Sequence, residues 1–155
     1  MNSLVVGQAA PDFIGITQKK EKISLSDFIG KKLILYFYPK DNTPGCTTEA
    51  KNLNDNFEQL SEKGFVIIGV SPDNTDSHCK FIEKHDLKFN LIADTEKKII
   101  QLYGAWGEKK MYGRLYEGVL RTTFVIDEKG IIATIIKNVD TKNHAKQILE
   151  KLTNI

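Results

Sequence analysis

Residues 33–49 of this chain of 155 amino acids read LILYFYPKDNTPGCTTE, and the rest of the sequence is organised around them. The stretch begins as a continuous apolar and aromatic run, which is typical of a strand that is buried on both faces of a sheet. Pro39 has no N–H to give to a strand ladder, so we expect the strand to end there. The sequence therefore predicts a central strand followed by a short polar loop.

Signals for the start of a helix follow directly after this loop. Thr43 is a favoured N-cap residue, and Pro44 then falls at the first helical position, where a missing N–H has little cost. Cys46 is thereby placed in the first turn, where free backbone N–H groups and the positive end of the helix dipole stabilise an anion. Because the thiolate is the nucleophilic form of cysteine, this position favours a reactive thiol over an inert core residue.

The pattern Pro39-x-x-x-Thr43-x-x-Cys46 resembles the peroxidatic-cysteine motif of peroxiredoxins. The longer string YPKDNTPGCTTEA, residues 38–50, is similar to that of the Q-type branch, whose members are also called bacterioferritin comigratory proteins. The string GQAAPDF at residues 7–13 resembles the G-x-x-A-P-D-F opening of the same family. The resemblance runs from about Val6 to the C-terminal helix, so it covers nearly the whole chain.

Composition limits the class of protein. Hydrophobic residues make up 41% of the chain, charged residues 27%, and the formal net charge is +2. These values are ordinary for a globular protein and too mild to indicate binding to nucleic acid or to a membrane surface. The sequence has no apolar stretch of membrane-spanning length and no secretory signal pattern, so we expect a cytoplasmic protein. We expect one domain over residues 1–155, and two cysteines do not suggest a disulfide framework.

The remaining pattern predicts an α/β class of fold. Its order is that of the thioredoxin-like fold, a mixed central sheet flanked by helices, with an N-terminal extension. Residues 104–121 are rich in glycine and aromatic residues, and we expect them to form an irregular connection near a functional site. The other predicted elements are a small N-terminal hairpin near residues 13–25, helices over residues 44–62, 75–85, 96–103 and 143–152, and strands over residues 65–71, 90–94, 122–127 and 131–136.

An arginine is the expected partner of the thiolate. Arg114 and Arg121 are the two arginines among twenty lysines, and Arg121 directly precedes a predicted strand. The planar guanidinium can contact a thiolate and a peroxide oxygen at once, which the ammonium group of lysine cannot do in the same way. In the family, an arginine that enters this strand completes the site, and RTTF at residues 121–124 matches that segment. The resemblance therefore implies a role for Arg121, whereas Arg114 is expected on the surface.

The resemblance also implies the remaining site roles. Thr43 would hydrogen-bond the peroxide through its hydroxyl, Pro39 would shield the site from water, and the backbone N–H of Cys46 would help to hold the substrate oxygen. Glu49 lies on the same helix face as Cys46. It would either orient Arg121 by a charged hydrogen bond or serve as an ordinary acid in the first turn of the helix.

The activity implied is that of a thiol-dependent peroxidase. The Cys46 thiolate would attack hydrogen peroxide or an organic hydroperoxide and become a sulfenic acid, without a metal or organic cofactor. The implied reductant is thioredoxin or another thiol. Relatives in this branch are often monomeric, so a monomer is expected.

Two routes of recycling remain open. Many Q-type members carry a resolving cysteine five residues after the first, but that position is Lys51 here. The other thiol of the chain is Cys79, about one turn before the position, near Ile82, where some relatives have a resolving cysteine. Cys79 would form a disulfide with Cys46, which requires some unwinding of the helix, or an external thiol would reduce Cys46 directly.

Three other interpretations compete with the peroxidase. A thioredoxin-like disulfide reductase needs C-x-x-C, and Glu49 occupies the second cysteine position, so this class is disfavoured. A binding module without peroxidase activity predicts an unreactive Cys46 and remains the alternative. A metal site of His78, Cys79 and His85 is disfavoured because the two histidines lie two helical turns apart. We expect the histidines to face solvent instead.

Overall fold

The computed structural model describes residues 4–153. The strands in this range are β1 (Ile14–Ile16), β2 (Lys22–Ser24), β3 (Lys32–Phe37), β4 (Phe65–Ser71), β5 (Asn90–Ala93), β6 (Trp106–Met111), β7 (Arg114–Val119), β8 (Thr122–Ile126) and β9 (Ile132–Ile136). The α-helices in the same range are α1 (Pro44–Asp55), α2 (Phe57–Glu62), α3 (Thr75–His85), α4 (Lys98–Leu102) and α5 (His144–Thr153), and a 3₁₀ helix covers Leu25–Phe28.

A mixed sheet with the strand order β5-β4-β3-β8-β9 lies at the centre. β4 runs parallel to both β3 and β5, whereas β8 is antiparallel to β3 and to β9. Successive side chains of β3 point to opposite faces of the sheet, so they alternate between two hydrophobic clusters. Leu33, Leu35 and Phe37 join one cluster, while Ile34 and Tyr36 join the other. The predicted fold class and the buried central strand are confirmed.

The pairing of β3 with β8 positions the site. Phe37, the last residue of β3, is opposite Thr122, the first residue of β8. Arg121 directly precedes Thr122, so it lies beside the point where β3 leads through a loop into α1. Two segments of the chain that are far apart in sequence are thereby brought to one edge of the sheet.

The predicted single helix over residues 44–62 is wrong, because Asn56 separates α1 from α2. Asn56 has φ −104° and ψ 12°. Its side-chain Nδ2 donates to the Asn52 carbonyl at 2.8 Å, and its backbone N–H contacts the same carbonyl at 3.3 Å. A side chain that competes for a helical carbonyl weakens the regular ladder, so the regular helix is interrupted at this residue.

The predicted irregular connection over residues 104–121 is also wrong. This segment contains the antiparallel hairpin β6–β7, with Met111 opposite Arg114. Tyr112 and Gly113 both have positive φ, 52° and 78°, which is the backbone of a type I′ hairpin turn. Tyr112 is 97% exposed at the tip. Tyrosine is rare at such a turn, so the sequence pattern did not indicate the hairpin.

The N-terminal hairpin β1–β2, the hairpin β8–β9 and the final helix α5 agree with the prediction. The structure over residues 4–153 contains no helix with the length and apolar character that crossing a bilayer requires.

Candidate active site

The first turn of α1 holds Cys46, whose side chain is buried with 1% of the residue exposed. The first regular backbone bond of this helix is donated by Thr47 to the Thr43 carbonyl at 2.8 Å. The amides of Gly45 and Cys46 therefore have no carbonyl of the preceding turn to bond. Thr43 is the N-cap residue as predicted, but its hydroxyl donates to the Lys40 carbonyl at 2.8 Å instead of capping the helix.

Arg121 joins Cys46 to Glu49. Its Nη2 lies 3.4 Å from Cys46 Sγ, and its Nη1 donates to Glu49 Oε1 at 2.7 Å. A Cβ at Gly45 would lie 3.1 Å from Nη2, so the glycine allows the guanidinium to pack close against the first turn. Arg121 keeps 23% of its side chain exposed, whereas the side chain of Glu49 is fully buried. The structure therefore brings together three of the predicted site residues.

Burial and charge act in opposite directions on the pKa values of this pair. Burial raises the pKa of Glu49 from its ordinary 4.5 to about 7, although the Arg121 cation acts to lower it. Burial alone would lower the pKa of Arg121, but the neighbouring Cys46 and Glu49 outweigh it and raise the pKa above its usual value. The arginine is therefore a permanent cation, while the glutamate titrates near neutral pH.

His144, at the start of α5, lies behind Glu49 and is fully buried. Its Nε2 is 2.7 Å from Thr123 Oγ1 and 3.5 Å from Glu49 Oε2, and its Nδ1 is 2.9 Å from Gln147 Oε1. Burial lowers the pKa of His144 to about 4. Among the described residues, no atom makes a hydrogen bond with Glu49 Oε2. Burial of a carboxylate oxygen without a hydrogen-bond donor costs free energy, so the pair of Glu49 and His144 is unusual.

The loop between β3 and α1 is tied to α3 by a second buried histidine. His78 Nδ1 lies 2.7 Å from Asp41 Oδ2, and His78 Nε2 lies 2.9 Å from the Ile92 carbonyl. Tyr38 donates to Asp41 Oδ1 at 2.6 Å, and Ser77 donates to Asp41 Oδ2 at 2.8 Å. The expectation that the histidines face solvent is wrong for His78 and for His144, because both are fully buried.

Asp41, Asp73 and His78 are the group within residues 4–153 whose potential metal-ligand atoms lie within 4.8 Å of one another. These atoms already bond within the protein. Asp73 Oδ2 accepts from the Asp41 backbone N–H at 2.8 Å and from Ser71 Oγ at 2.7 Å. The arrangement is that of a hydrogen-bond network that holds the loop.

The remaining predicted site residues are Pro39 and Cys79. Pro39 is half-buried at the start of the loop. Cys79 is an exposed free thiol in the first half of α3, and its S–H donates to the Gln18 carbonyl at 3.1 Å. Cys46 and Cys79 are thus separate free thiols in this structure.

A cavity of about 520 Å³ adjoins the site through Arg121. Lys109 of β6 also lines it; burial and then the charge of Arg121 lower its pKa, with Cys46 acting in the opposite direction. Cys46 does not line the cavity, so the cavity adjoins the site without enclosing the thiol. The lining residues are Leu4, Tyr103, Gly104, Lys109, Leu120, Arg121, Thr122, Phe124, Ile135 and Lys137.

Three residues at the site were not predicted from the sequence: Gly45, Lys109 and His144. For His144 a signal was available: Ile148 is the inward residue one turn later, so the helical period places His144 on the same buried face. For Lys109 the expectation that residues 104–121 lie near a functional site was a general signal, but the hairpin register that brings this lysine to the cavity beside Arg121 was not predicted.

Comparisons with known proteins find relatives over nearly the full length of the chain. The sequence matches the AhpC/TSA family over residues 6–135. It is 43% identical over 153 residues to peroxiredoxin Bcp of Bacillus subtilis, covering 99% of this chain and 98% of the relative. It is 38% identical over 152 residues to peroxiredoxin Bcp of Escherichia coli, covering 98% and 97%. The fold matches the bacterioferritin comigratory protein of Xanthomonas campestris, a structure described for its alkyl peroxide reduction activity, with a TM-score of 0.88, 30% identity and coverage of 97% and 98%.

Proposed function

We propose that Cys46 is the peroxidatic residue of this chain, which belongs to the AhpC/TSA family and is a thiol peroxidase with the fold of the Q-type peroxiredoxins. The observation that carries the proposal is the contact of 3.4 Å between Cys46 Sγ and Arg121 Nη2. A cation beside the sulfur and free amides at the helix start both favour the thiolate. The thiolate is the species that attacks a peroxide.

The reaction is an in-line displacement on the peroxide. A bond forms between Cys46 Sγ and the terminal peroxide oxygen while the O–O bond breaks, so the sulfur is oxidised to a sulfenic acid. The other oxygen leaves as hydroxide or alkoxide and takes up a proton to become water or an alcohol. Arg121 stabilises the negative charge as it moves from sulfur to the leaving oxygen.

The other site residues hold the substrate. Because the Thr43 hydroxyl donates to the Lys40 carbonyl, its oxygen is free to accept a hydrogen bond from the peroxide O–H. The backbone N–H of Cys46 donates to a substrate oxygen, and half-buried Pro39 excludes water from the sulfur. Glu49 orients the guanidinium through its bond of 2.7 Å to Nη1.

The substrates are hydrogen peroxide and organic hydroperoxides. The cavity beside Arg121 supports the second class, because apolar residues such as Leu120, Phe124 and Ile135 form much of its wall. An organic substituent would lie there while its peroxide group reaches Cys46.

Recycling uses Cys79 as the resolving thiol. Its exposed position on α3 makes it accessible, and the first turn of α1 must unwind before the two sulfurs meet, because Cys46 is buried. The Cys79 sulfur then attacks the sulfenic sulfur, a disulfide forms and water leaves. Thioredoxin or a similar thiol reductant restores both thiols.

The protein acts as a cytoplasmic monomer that is a single domain over residues 1–155.

Intact mass after one equivalent of hydrogen peroxide tests these assignments. Wild type should lose two hydrogens, and Cys79→Ser should instead gain one oxygen, or the matching adduct with a sulfenic acid trap. A gain of one oxygen in both proteins would mean that Cys79 is a bystander and that an external thiol reduces Cys46. No change in either protein would contradict the role of Cys46, and Cys46→Ser is the unreactive control.

A further inference from the structure

The cavity beside Arg121 combines an apolar surface with positive charge. Phe124 of β8 is opposite Ile135 of β9 in the central sheet, and both residues line the cavity. Lys137, the residue directly after β9, lines it as well, together with Lys109 of β6 and Arg121 itself. Within the described range, no residue that lines the cavity is acidic. Three cations therefore adjoin one apolar surface.

Two of these cations have no counter-ion. Arg121 is engaged by Glu49 and Cys46. Lys109 and Lys137, in contrast, form no ion pair with any residue that the structure describes. Lys109 is half-buried, and burial and then the charge of Arg121 lower its pKa. An anion in the cavity would offset both effects, because an opposite charge nearby favours the charged form of the lysine.

The acids of the hairpin β6–β7 do not neutralise Lys109. Lys109 and its cross-strand partner Tyr116 share one face of the hairpin, and Lys109 Nζ lies 6.0 Å from the centre of the Tyr116 ring. Glu108 is opposite Glu117, and because side chains alternate along a strand, this pair lies on the other face. There Glu117 Oε2 accepts from Trp106 Nε1 at 3.4 Å. The hairpin thus turns a cation, and not an acid, toward the cavity.

A pair of facing glycines makes room for the side chains of this wall. Gly107 and Gly118 are opposite each other in the hairpin and lie on the same face as Lys109. A Cβ at Gly118 would lie 3.2 Å from Lys109 Cδ, and a Cβ at Gly107 would lie 2.9 Å from Leu120 Cδ1. Lys109 and Leu120 both line the cavity. The stem of Lys109 is therefore packed in place against the hairpin.

We propose that the cavity selects organic hydroperoxides that carry a carboxylate on an apolar skeleton, and that Lys109 and Lys137 determine this specificity by binding the carboxylate. This inference rests on the proposed role of Cys46, because the peroxide group of the substrate must reach that sulfur. The skeleton packs against Phe124 and Ile135, and the ammonium groups donate charge-assisted hydrogen bonds to the carboxylate oxygens. A neutral hydroperoxide of the same shape gains the apolar contact alone.

A matched pair of substrates tests the proposal. The para-carboxyl derivative of cumene hydroperoxide and its methyl ester have the same skeleton and differ in charge. The rate constant of Cys46 oxidation by each would be measured at neutral pH by quenched flow and intact mass. Wild type should react about tenfold faster with the acid than with the ester, the combined effect of two partly exposed ion pairs. This acid-to-ester ratio should decrease in about 1 M salt, which screens such pairs.

Variants of the two lysines assign the effect. Lys109→Met and Lys137→Met keep an apolar stem without the charge, and each should lower the acid-to-ester ratio by about threefold. Lys109→Glu should lower it further, because the new carboxylate repels the acid. A change in the reactivity of Cys46 alters both rates alike, so the ratio reports contact with the carboxylate. Lys110→Met is the matched control, because this exposed neighbour does not line the cavity, and it should keep the wild-type ratio.

Three results would overturn the proposal. These are a wild-type protein that reacts no faster with the acid than with the ester, a Lys109→Met ratio equal to that of wild type, and an equal fall of the ratio in Lys110→Met. The last result would assign the preference to the net charge of the protein. In all three cases hydrogen peroxide would still oxidise Cys46. If Cys46 of wild type fails to react with hydrogen peroxide, the proposed function fails instead.

Discussion

Two fully buried histidines flank the active-site segment, and the carboxyl group beside each of them differs in how completely it is hydrogen-bonded. His78 has an acceptor at each nitrogen, and its partner Asp41 accepts from donors at both oxygens. His144 lies beside Glu49, and one oxygen of that carboxyl lacks a hydrogen-bond partner among the described residues. The first histidine ties a loop to α3, while the second adjoins the group that holds Arg121.

The protein tolerates an unpartnered carboxyl oxygen beside His144 but not beside His78. A satisfied buried pair fixes a conformation, because any change leaves a charge unpaired. An incompletely satisfied group changes its protonation state more easily, and such groups cluster where chemistry occurs. We therefore expect substitutions at His78 to change stability, and substitutions around His144 to change the response to pH.

The largest effect is expected from His78→Leu, which leaves the buried Asp41 carboxyl without its hydrogen-bond partner at 2.7 Å. The free energy of unfolding should fall by about 3–5 kcal/mol, measured by urea denaturation. Asp41→Asn combined with His78→Leu should cost less than the sum of the two single changes. A loss below about 1 kcal/mol in His78→Leu would show that the two histidines do not differ as described.

Arg121→Lys should come next. Lysine keeps the positive charge but lacks the fork that contacts Cys46 and Glu49 together. The rate constant of Cys46 oxidation should fall by about 10²–10³, the usual loss when a donor to a developing anion is removed. Quenched-flow intact mass at neutral pH measures it, with Arg114→Lys on the exposed strand β7 as the matched control. An unchanged rate would remove Arg121 from the site.

A smaller effect is expected in how stability depends on pH. Burial raises the pKa of Glu49 from 4.5 to about 7, so its contribution to folding is lost as the pH rises through that window. Burial lowers the pKa of His144 from 6.5 to about 4, so its contribution is lost as the pH falls through that window. Between about pH 4.5 and 6.5 the pair carries one proton in either state, on Glu49 when folded and on His144 when unfolded.

The pH dependences that Glu49 and His144 give to the free energy of unfolding therefore cancel in wild type. A variant that removes one of the two groups should reveal the pH dependence due to the other. Relative to wild type, the free energy of unfolding should fall with rising pH in His144→Asn and should rise with pH in Glu49→Gln. Each slope should approach about 1.4 kcal/mol per pH unit. Urea denaturation at several pH values measures both slopes. Two variants with slopes of the same sign would contradict the assignment of the proton.

The smallest effect is expected from His85→Gln, the third histidine. It is half-buried on α3 and packs edge-on against Phe81, without an ion pair among the described residues. The free energy of unfolding, obtained from thermal unfolding, should change by no more than about 0.5 kcal/mol. A loss of unfolding free energy as large as that in His78→Leu would mean that the burial of a histidine, and not its hydrogen-bond partners, determines the loss.

The sequence allowed most of the fold and the centre of the site to be predicted. The run from Leu33 to Cys46 combines a strand, a proline stop and a helix start, which are local signals with clear physical causes. The break at Asn56 and the hairpin tip at Tyr112 were missed, because one depends on a side chain that competes for a carbonyl and the other on a rare turn residue. Glu49 was predicted to be near Arg121, but its neighbour His144 comes from the distant helix α5, and only tertiary packing brings the two together.

The antiparallel pairing of β3 with β8 has a consequence for the chain as it is being made. Cys46 and Arg121 are 75 residues apart, so a ribosome has released the whole β3–α1 segment long before it reaches the arginine. Contacts of such long sequence separation form late in folding. An unfinished or truncated chain therefore carries a cysteine without its cation, and we expect that thiol to behave as an ordinary one. On the proposed role of Cys46, reactivity toward peroxide is acquired when the last third of the chain docks.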